Sequence, residues 1–146
     1  MIYNAQIEID IYRAEERLKW LIEKGKRFEL TEKKEKRSIS QNSYLHLVLT
    51  WYAIEYGDTL EYVKQEVFKK QINPDIFRTE HINKKTGEIR DDWRSTADLD
   101  TGELTTAIDR FRNYSSKEAG IYLPEPRDMV LLNQIEAEIE KFKEYV

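Results

Sequence analysis

Asn4-Ala5-Gln6-Ile7-Glu8-Ile9 (residues 4–9) is the stretch on which the fold class turns. Ala5, Ile7 and Ile9 alternate with polar neighbours, the pattern of a short strand buried on one face. From about Ile11 the spacing changes. Ile11, Ala14, Leu18, Leu21 and Ile22 share one helical face, and Gly25 stands where a left-handed C-terminal cap is wanted. Arg27-Phe28-Glu29-Leu30-Thr31 alternates again. This strand–helix–strand opening predicts an α+β chain: a small mixed sheet, completed by a hairpin further on, packed with about four to five helices in one domain over residues 1–146.

Downstream, Ser38 and Gln41 are spaced as a capping box, which predicts a helix from about Ile39 to Tyr56. Leu45, Val48, Leu49, Tyr52 and Tyr56 form one apolar stripe on it, and Leu47, Trp51 and Ile54 form a second. A helix apolar on most of its circumference needs cover on two sides, and a domain this small offers little interior, so an intertwined homodimer is expected. Asp58 and Glu61 suggest the next helix start, with Leu60, Val63 and Val67 inward. Asn73-Pro74 breaks the chain. Residues 76–82 and 88–90 flank Asn83-Lys84-Lys85-Thr86-Gly87 as a hairpin with a basic turn. Asp100 and Glu103 form another capping box with Leu99 and Leu104 as its staple, ahead of a buried face of Leu104, Ala107, Ile108 and Phe111. A final helix starting near Pro126 carries Leu132, Ile135, Ile139 and Phe142 as a narrow seam.

With 146 residues the chain is long enough to bury a core without metal or disulfide, and it contains no cysteine. The first ten residues lack a basic region and a continuous apolar run, so no signal peptide is expected, and no span is apolar enough for a membrane. A cytoplasmic location follows as the expectation. The formal charge of −4 argues against a nucleic-acid partner until its distribution is considered. Between Lys24 and Arg37 stand seven basic and three acidic side chains, a local charge of +4. The acid is concentrated at Asp91, Asp92, Asp98 and Asp100 and in the last helix.

The basic run Lys33-Lys34-Glu35-Lys36-Arg37 empties into Ser38-Ile39-Ser40-Gln41-Asn42 at a helix start. Cations that neutralise phosphates thus sit beside hydroxyl and amide groups and the free N–H donors of a helix N-terminus, where anions are favoured. A single strand is held by such a cationic track together with flat side chains that stack on bases. Lys33, Lys34, Lys36 and Arg37 are the candidate phosphate contacts. Ser38, Ser40, Gln41 and Asn42 are candidate hydrogen-bonding groups, while Trp93 with Arg94, Tyr44 and Tyr114 are candidate stacking positions. Gln41 has an ordinary reading as Ser38's capping partner, and Tyr44 and Trp93 have one as core.

Arg37-Ser38-Ile39-Ser40-Gln41-Asn42 before an aromatic-rich helix, and Ser95-Thr96-Ala97-Asp98-Leu99-Asp100-Thr101-Gly102-Glu103-Leu104 running on to Gly120, resemble the NinB (Orf) family of lambdoid-phage recombination proteins. The resemblance implies an α+β homodimer in the cytoplasm of a bacterial host. It implies binding of single-stranded DNA with little sequence preference, contact with the host single-strand-binding protein and recombination proteins, and help in loading recombinase. It implies neither an enzyme nor a cofactor. Arg37, Ser38, Gln41 and Asn42 are the positions that carry over. The chain departs from the lambda-type pattern in its longer acidic C-terminal helix and in Tyr122-Leu123-Pro124-Glu125-Pro126.

Two other classes compete. Asp91, Asp92, Asp98, Asp100 and Glu103 suggest a metal-dependent nuclease, because paired carboxylates can hold the metals of phosphodiester hydrolysis. Against it, Asp100 and Glu103 are already explained as caps, and His46 and His81 lack ligand spacing. A protein-only adaptor would work through Glu136, Glu138, Glu140 and Glu144 of the last helix, a face that solubility alone also explains. No glycine-rich phosphate loop is present.

Overall fold

The computed structural model describes residues 2–34 and 37–144, the side chain of Glu144 excepted. In chain order the elements are α1 (Glu8–Glu23), α2 (Gln41–Tyr56), α3 (Leu60–Tyr62) continuing as a π-helix (Val63–Ile72), and α4 (Pro74–Phe77). Then come β1 (Arg78–Ile82), β2 (Ile89–Trp93), a 3-10 turn (Thr96–Asp98), α5 (Thr101–Tyr114) ending in a π-turn (Ser115–Ala119), and α6 (Met129–Glu144). They fall into two compact units, Met1–Ser38 with Met129–Val146, and Ile39–Asp128. No helix among the described residues is long and apolar enough to cross a membrane.

The expected α+β fold is corrected. Among the described residues the chain is mostly helical, with six α-helices and one two-stranded antiparallel hairpin in place of a mixed sheet. The N-terminus is a helix, not strand–helix–strand. Asn4 turns the chain: its side-chain oxygen accepts from Gln6 N at 2.9 Å and its carbonyl from Ile7 N at 3.0 Å. Ile7 is the N-cap, and Glu8 and Asp10 occupy the first turn, where the helix dipole favours acid. The helix therefore starts directly after Ile7, and Ile7 and Ile9 are both exposed. Arg27 to Thr31 forms no strand either, because no backbone hydrogen bond joins it to a neighbour among the described residues. A strand exists only against a partner, and three alternating residues do not supply one.

In the first unit, α1 ends as expected at Gly25, whose φ of 64° is the left-handed cap. Its one buried residue is Asp10, which accepts from Asn4 N at 3.1 Å and lies 3.9 Å from Lys141 Nζ on α6. Leu132, Ile135 and Ile139 of α6 are buried, whereas Phe142 is exposed. That helix starts at Met129, later than Pro126, because Glu125 O accepts from Asp128 N and closes a turn first.

The second unit holds an aromatic core. Tyr52 packs on Phe111 with ring centroids 5.1 Å apart, and Phe68 meets both Phe77 at 5.5 Å and Phe111 at 5.6 Å. Val48, Leu49, Val63, Leu104, Ala107 and Ile108 complete it. Of the first stripe of α2, Leu45, Val48, Leu49 and Tyr52 are buried but Tyr56 is exposed, and the other, Leu47, Trp51 and Ile54, is half-buried. Buried Asn73 ties the layers together. Its side-chain nitrogen donates to Phe68 O at 3.0 Å and Ala107 O at 3.2 Å, joining the π-helix to α5. The hairpin pairs Arg78 with Trp93 and Ile82 with Ile89, as the turn residues Asn83–Gly87 led one to expect.

Candidate nucleic-acid interface

The residues singled out from sequence divide between the two units. Lys33, Lys34, Arg37 and Ser38 belong to the first; Lys36 lies outside the described residues. The described residues around them form no helix or strand, and Lys33, Lys34, Arg37 and Ser38 are all exposed. Lys33 Nζ is 4.0 Å from a carboxylate oxygen of Glu136, a long surface contact worth little in water. Lys34 and Arg37 have no ion pair among the described residues. Among the described residues Lys34 and Arg37 therefore have no carboxylate beside them, and Lys33 has only this long one.

In the second unit the helix start differs by two residues from the expected one. Ser40, not Ser38, is the N-cap of α2, accepting from Ser43 N at 3.2 Å. Gln41 is thereby released from capping. Its amide donates to Thr105 Oγ1 at 2.9 Å, which draws the start of α2 against the first turns of α5. Asn42 is exposed.

Arg94 is held on four sides. Its guanidinium donates to Glu103 at 2.9 and 3.3 Å, to Ile76 O at 3.1 Å and to Asp98 O at 2.9 Å. Glu103 in turn accepts from Asp100 N at 3.2 Å while Asp100 accepts from Glu103 N at 2.7 Å, the capping box expected at α5. The Arg94 hydrogen bond, followed by the Asp100 N–H, holds the Glu103 carboxyl below the usual carboxylate range. A second capping box, Ser95 with Asp98, escaped the sequence reading although its Ser-x-x-Asp spacing is present. Gln41 and Arg94 thus meet the same helix start. Trp93 is half-buried beside the π-helix, with Lys70 Nζ 5.7 Å from its ring centroid.

Tyr44 is core. It is 1% exposed and its hydroxyl donates to Pro124 O, and burial pushes its phenol up to about 12. Arg112 Nε donates to Leu123 O at 3.3 Å, so the Tyr122–Pro126 segment is pinned from α2 and α5 together. Tyr114 is half-buried and accepts from the Gln71 amide at 2.9 Å.

The acidic cluster also has local duties. Asp91 pairs with Arg78 at 2.9 Å, Asp92 accepts from Trp93 N at 2.9 Å, and Asp98, Asp100 and Glu103 are capping groups. No three histidine or carboxylate side chains among the described residues stand where they could share a metal ion. Compared with protein-family models, curated proteins and solved structures, the chain matches none.

Proposed function

We propose that this chain is a single-stranded-DNA-binding recombination mediator of phage type, acting as a homodimer in the host cell and assisting recombinase loading alongside the host single-strand-binding protein. One observation carries the reading: Lys33, Lys34 and Arg37 are exposed, and Lys34 and Arg37 have no ion pair among the described residues. Free cations on irregular chain suit a ligand that is a flexible polyanion, since each neutralised phosphate releases a counterion. The sequence resemblance to the NinB family supplies the biological setting.

Support for the homodimer comes from the first unit. The apolar face of α1 leaves Ile11 and Ile22 exposed, and Phe28 and Leu30 of the unpaired segment are exposed as well, Leu30 to 77%. A groove of about 870 Å3 is lined by Ile11, Phe28 and Leu30 with Ala14, Leu18 and Leu21, and Lys33 and Lys34 line it too, so the apolar surface and the basic run adjoin. Apolar surface on both walls of an open groove is an interface in search of a partner. Leu30→Glu removes no buried contact within the chain, so it is expected to leave the fold intact and convert a mass of two chains to one in light scattering. A dimer that survives this substitution removes Leu30 from the interface.

The DNA reading is tested by anisotropy of a labelled oligothymidylate between about 50 mM and about 200 mM salt. With Lys33, Lys34, Lys36 and Arg37 neutralising about four phosphates, log affinity is expected to fall with log salt at a slope of about −3. Alanine at all four positions is expected to weaken binding at least about tenfold and flatten that slope. A wild-type protein that leaves the oligonucleotide free at low salt disposes of the proposal. Cleavage of the oligonucleotide with a divalent metal added would favour the nuclease instead.

A further inference from the structure

The face of α1 opposite the apolar groove has a different chemistry. Tyr12, Glu16 and Trp20 follow one another at four-residue spacing, with Arg13 and Arg17 beside them, so rings and guanidinium groups alternate along one side of the helix. Neither ring is core: Tyr12 is 63% exposed and Trp20 41%. Arg17 lies over the Trp20 ring, its Cζ 4.7 Å from the centroid. Together with Lys141 of α6 these side chains line a pocket of about 550 Å3, at whose base sits buried Asp10. Glu16 lies 3.7 Å from Lys19, whereas Arg13 and Arg17 have no carboxylate within ion-pair reach among the described residues.

Two exposed aromatic rings interleaved with guanidinium groups that have no carboxylate partner among the described residues form a surface suited to a ligand with both flat and anionic parts. The pocket lining carries Arg13, Arg17, Lys19 and Lys141 against Asp10, Glu16 and Glu23, a balance of charge that favours an anion over a cation. A chain of bases joined by phosphates satisfies both components: every base has a π-face for Tyr12 or Trp20, and each phosphate a guanidinium. Eight residues of helix separate the two rings, about 12 Å along the axis, far enough for them to serve different bases of one strand.

We propose that the Tyr12–Trp20 face of α1 is a stacking platform for single-stranded DNA, adding base contacts to the phosphate contacts of the basic run. It rests on the single-strand-binding reading above, and the two can fail separately. The probe is oligothymidylate of about 16 nucleotides, titrated at low and high salt into wild type, Tyr12→Ala/Trp20→Ala and Tyr12→Phe/Trp20→Phe. The alanine pair is expected to bind about ten- to a hundredfold more weakly with an unchanged salt slope, because stacking carries no counterion; the phenylalanine pair retains wild-type binding. Wild-type affinity in a folded alanine pair overturns the platform and leaves the DNA reading standing. Equal losses in both pairs overturn it too, and a wild type that does not bind overturns both proposals. Should the alanine pair not fold, Trp20→Phe decides: loss of part of the oligonucleotide-induced tryptophan quenching supports the platform, and undiminished quenching refutes it.

Discussion

Taken from pH 10 to pH 12, the protein is expected to lose about 4 kcal/mol of stability through two tyrosines alone. Tyr44 and Tyr52 are each 1% exposed, and burial first of all raises each phenol from 10.0 to about 12. For Tyr44 the charge of Arg112 opposes that rise without cancelling it, and for Tyr52 the neighbouring Tyr114 and Tyr56 add to it. Above pH 10 the unfolded chain sheds these two protons while the folded chain still holds them. The unfolded state then binds fewer protons, so stability falls with rising pH, fully present below 10 and lost by about 12. Lys69 works the other way. It is 5% exposed, and burial, then the charge of Lys64, lowers it from 10.5, so the unfolded chain binds a proton that the folded one gives up and stability rises toward that pH. Denaturant unfolding across this window separates the two. Tyr44→Phe is expected to cost about 1 kcal/mol at neutral pH for the lost bond to Pro124 O, and to halve the alkaline loss. A wild-type profile flat between pH 10 and 12 would contradict the burial of both rings.

What could be read in advance depended on how local the cause was. The α5 start was legible because Asp100 and Glu103 satisfy each other's backbone N–H within one turn. The hairpin was legible because Asn83 and Gly87 close its turn through their own bonds, Gly87 with a φ of 73°. Start sites shifted by one or two residues where several hydroxyls competed: Ser40 displaced Ser38, and Thr59 took the cap assigned to Asp58. The N-terminal strands failed for a non-local reason. Ala5, Ile7 and Ile9 satisfy an alternating pattern and, in part, a helical one, and with no second strand to pair against, the helix wins. The π-helix left no mark in the sequence that a four-residue period would not also leave.

The same rule sorts the candidate interface. Exposure of Lys34 and Arg37 followed from charge density, since a run of cations cannot be buried without acids to match. The duties of Arg94, Gln41 and Tyr44 did not follow, because their partners Glu103, Thr105 and Pro124 lie 9, 64 and 80 residues away. Tyr12 and Trp20 were overlooked for the opposite reason. Their four-residue spacing is plain in the sequence, but an amphipathic helix carries polar and aromatic residues on its outer side without any ligand, so spacing alone does not mark a site.

Removing the Asn73 side chain is expected to cost more than any other single polar change in the second unit. Its amide is fully buried and donates to two main-chain carbonyls, Phe68 O at 3.0 Å and Ala107 O at 3.2 Å, which belong to different helices. Asn73→Ala removes two buried hydrogen bonds and opens space between Phe68 and Ala107, a loss of about 3 kcal/mol, or roughly 10 °C in melting temperature. Asn73→Asp keeps the shape and separates the two effects. A carboxylate facing two carbonyl oxygens is repelled, so its carboxyl stays protonated to higher pH in the folded chain than in the unfolded one. That variant is expected to regain stability as the pH is lowered from 7 toward 5, whereas Asn73→Ala is expected to show no such recovery. If Asn73→Ala melts within about 2 °C of wild type, the two carbonyls have found water, and the joint between the π-helix and α5 does not depend on this amide.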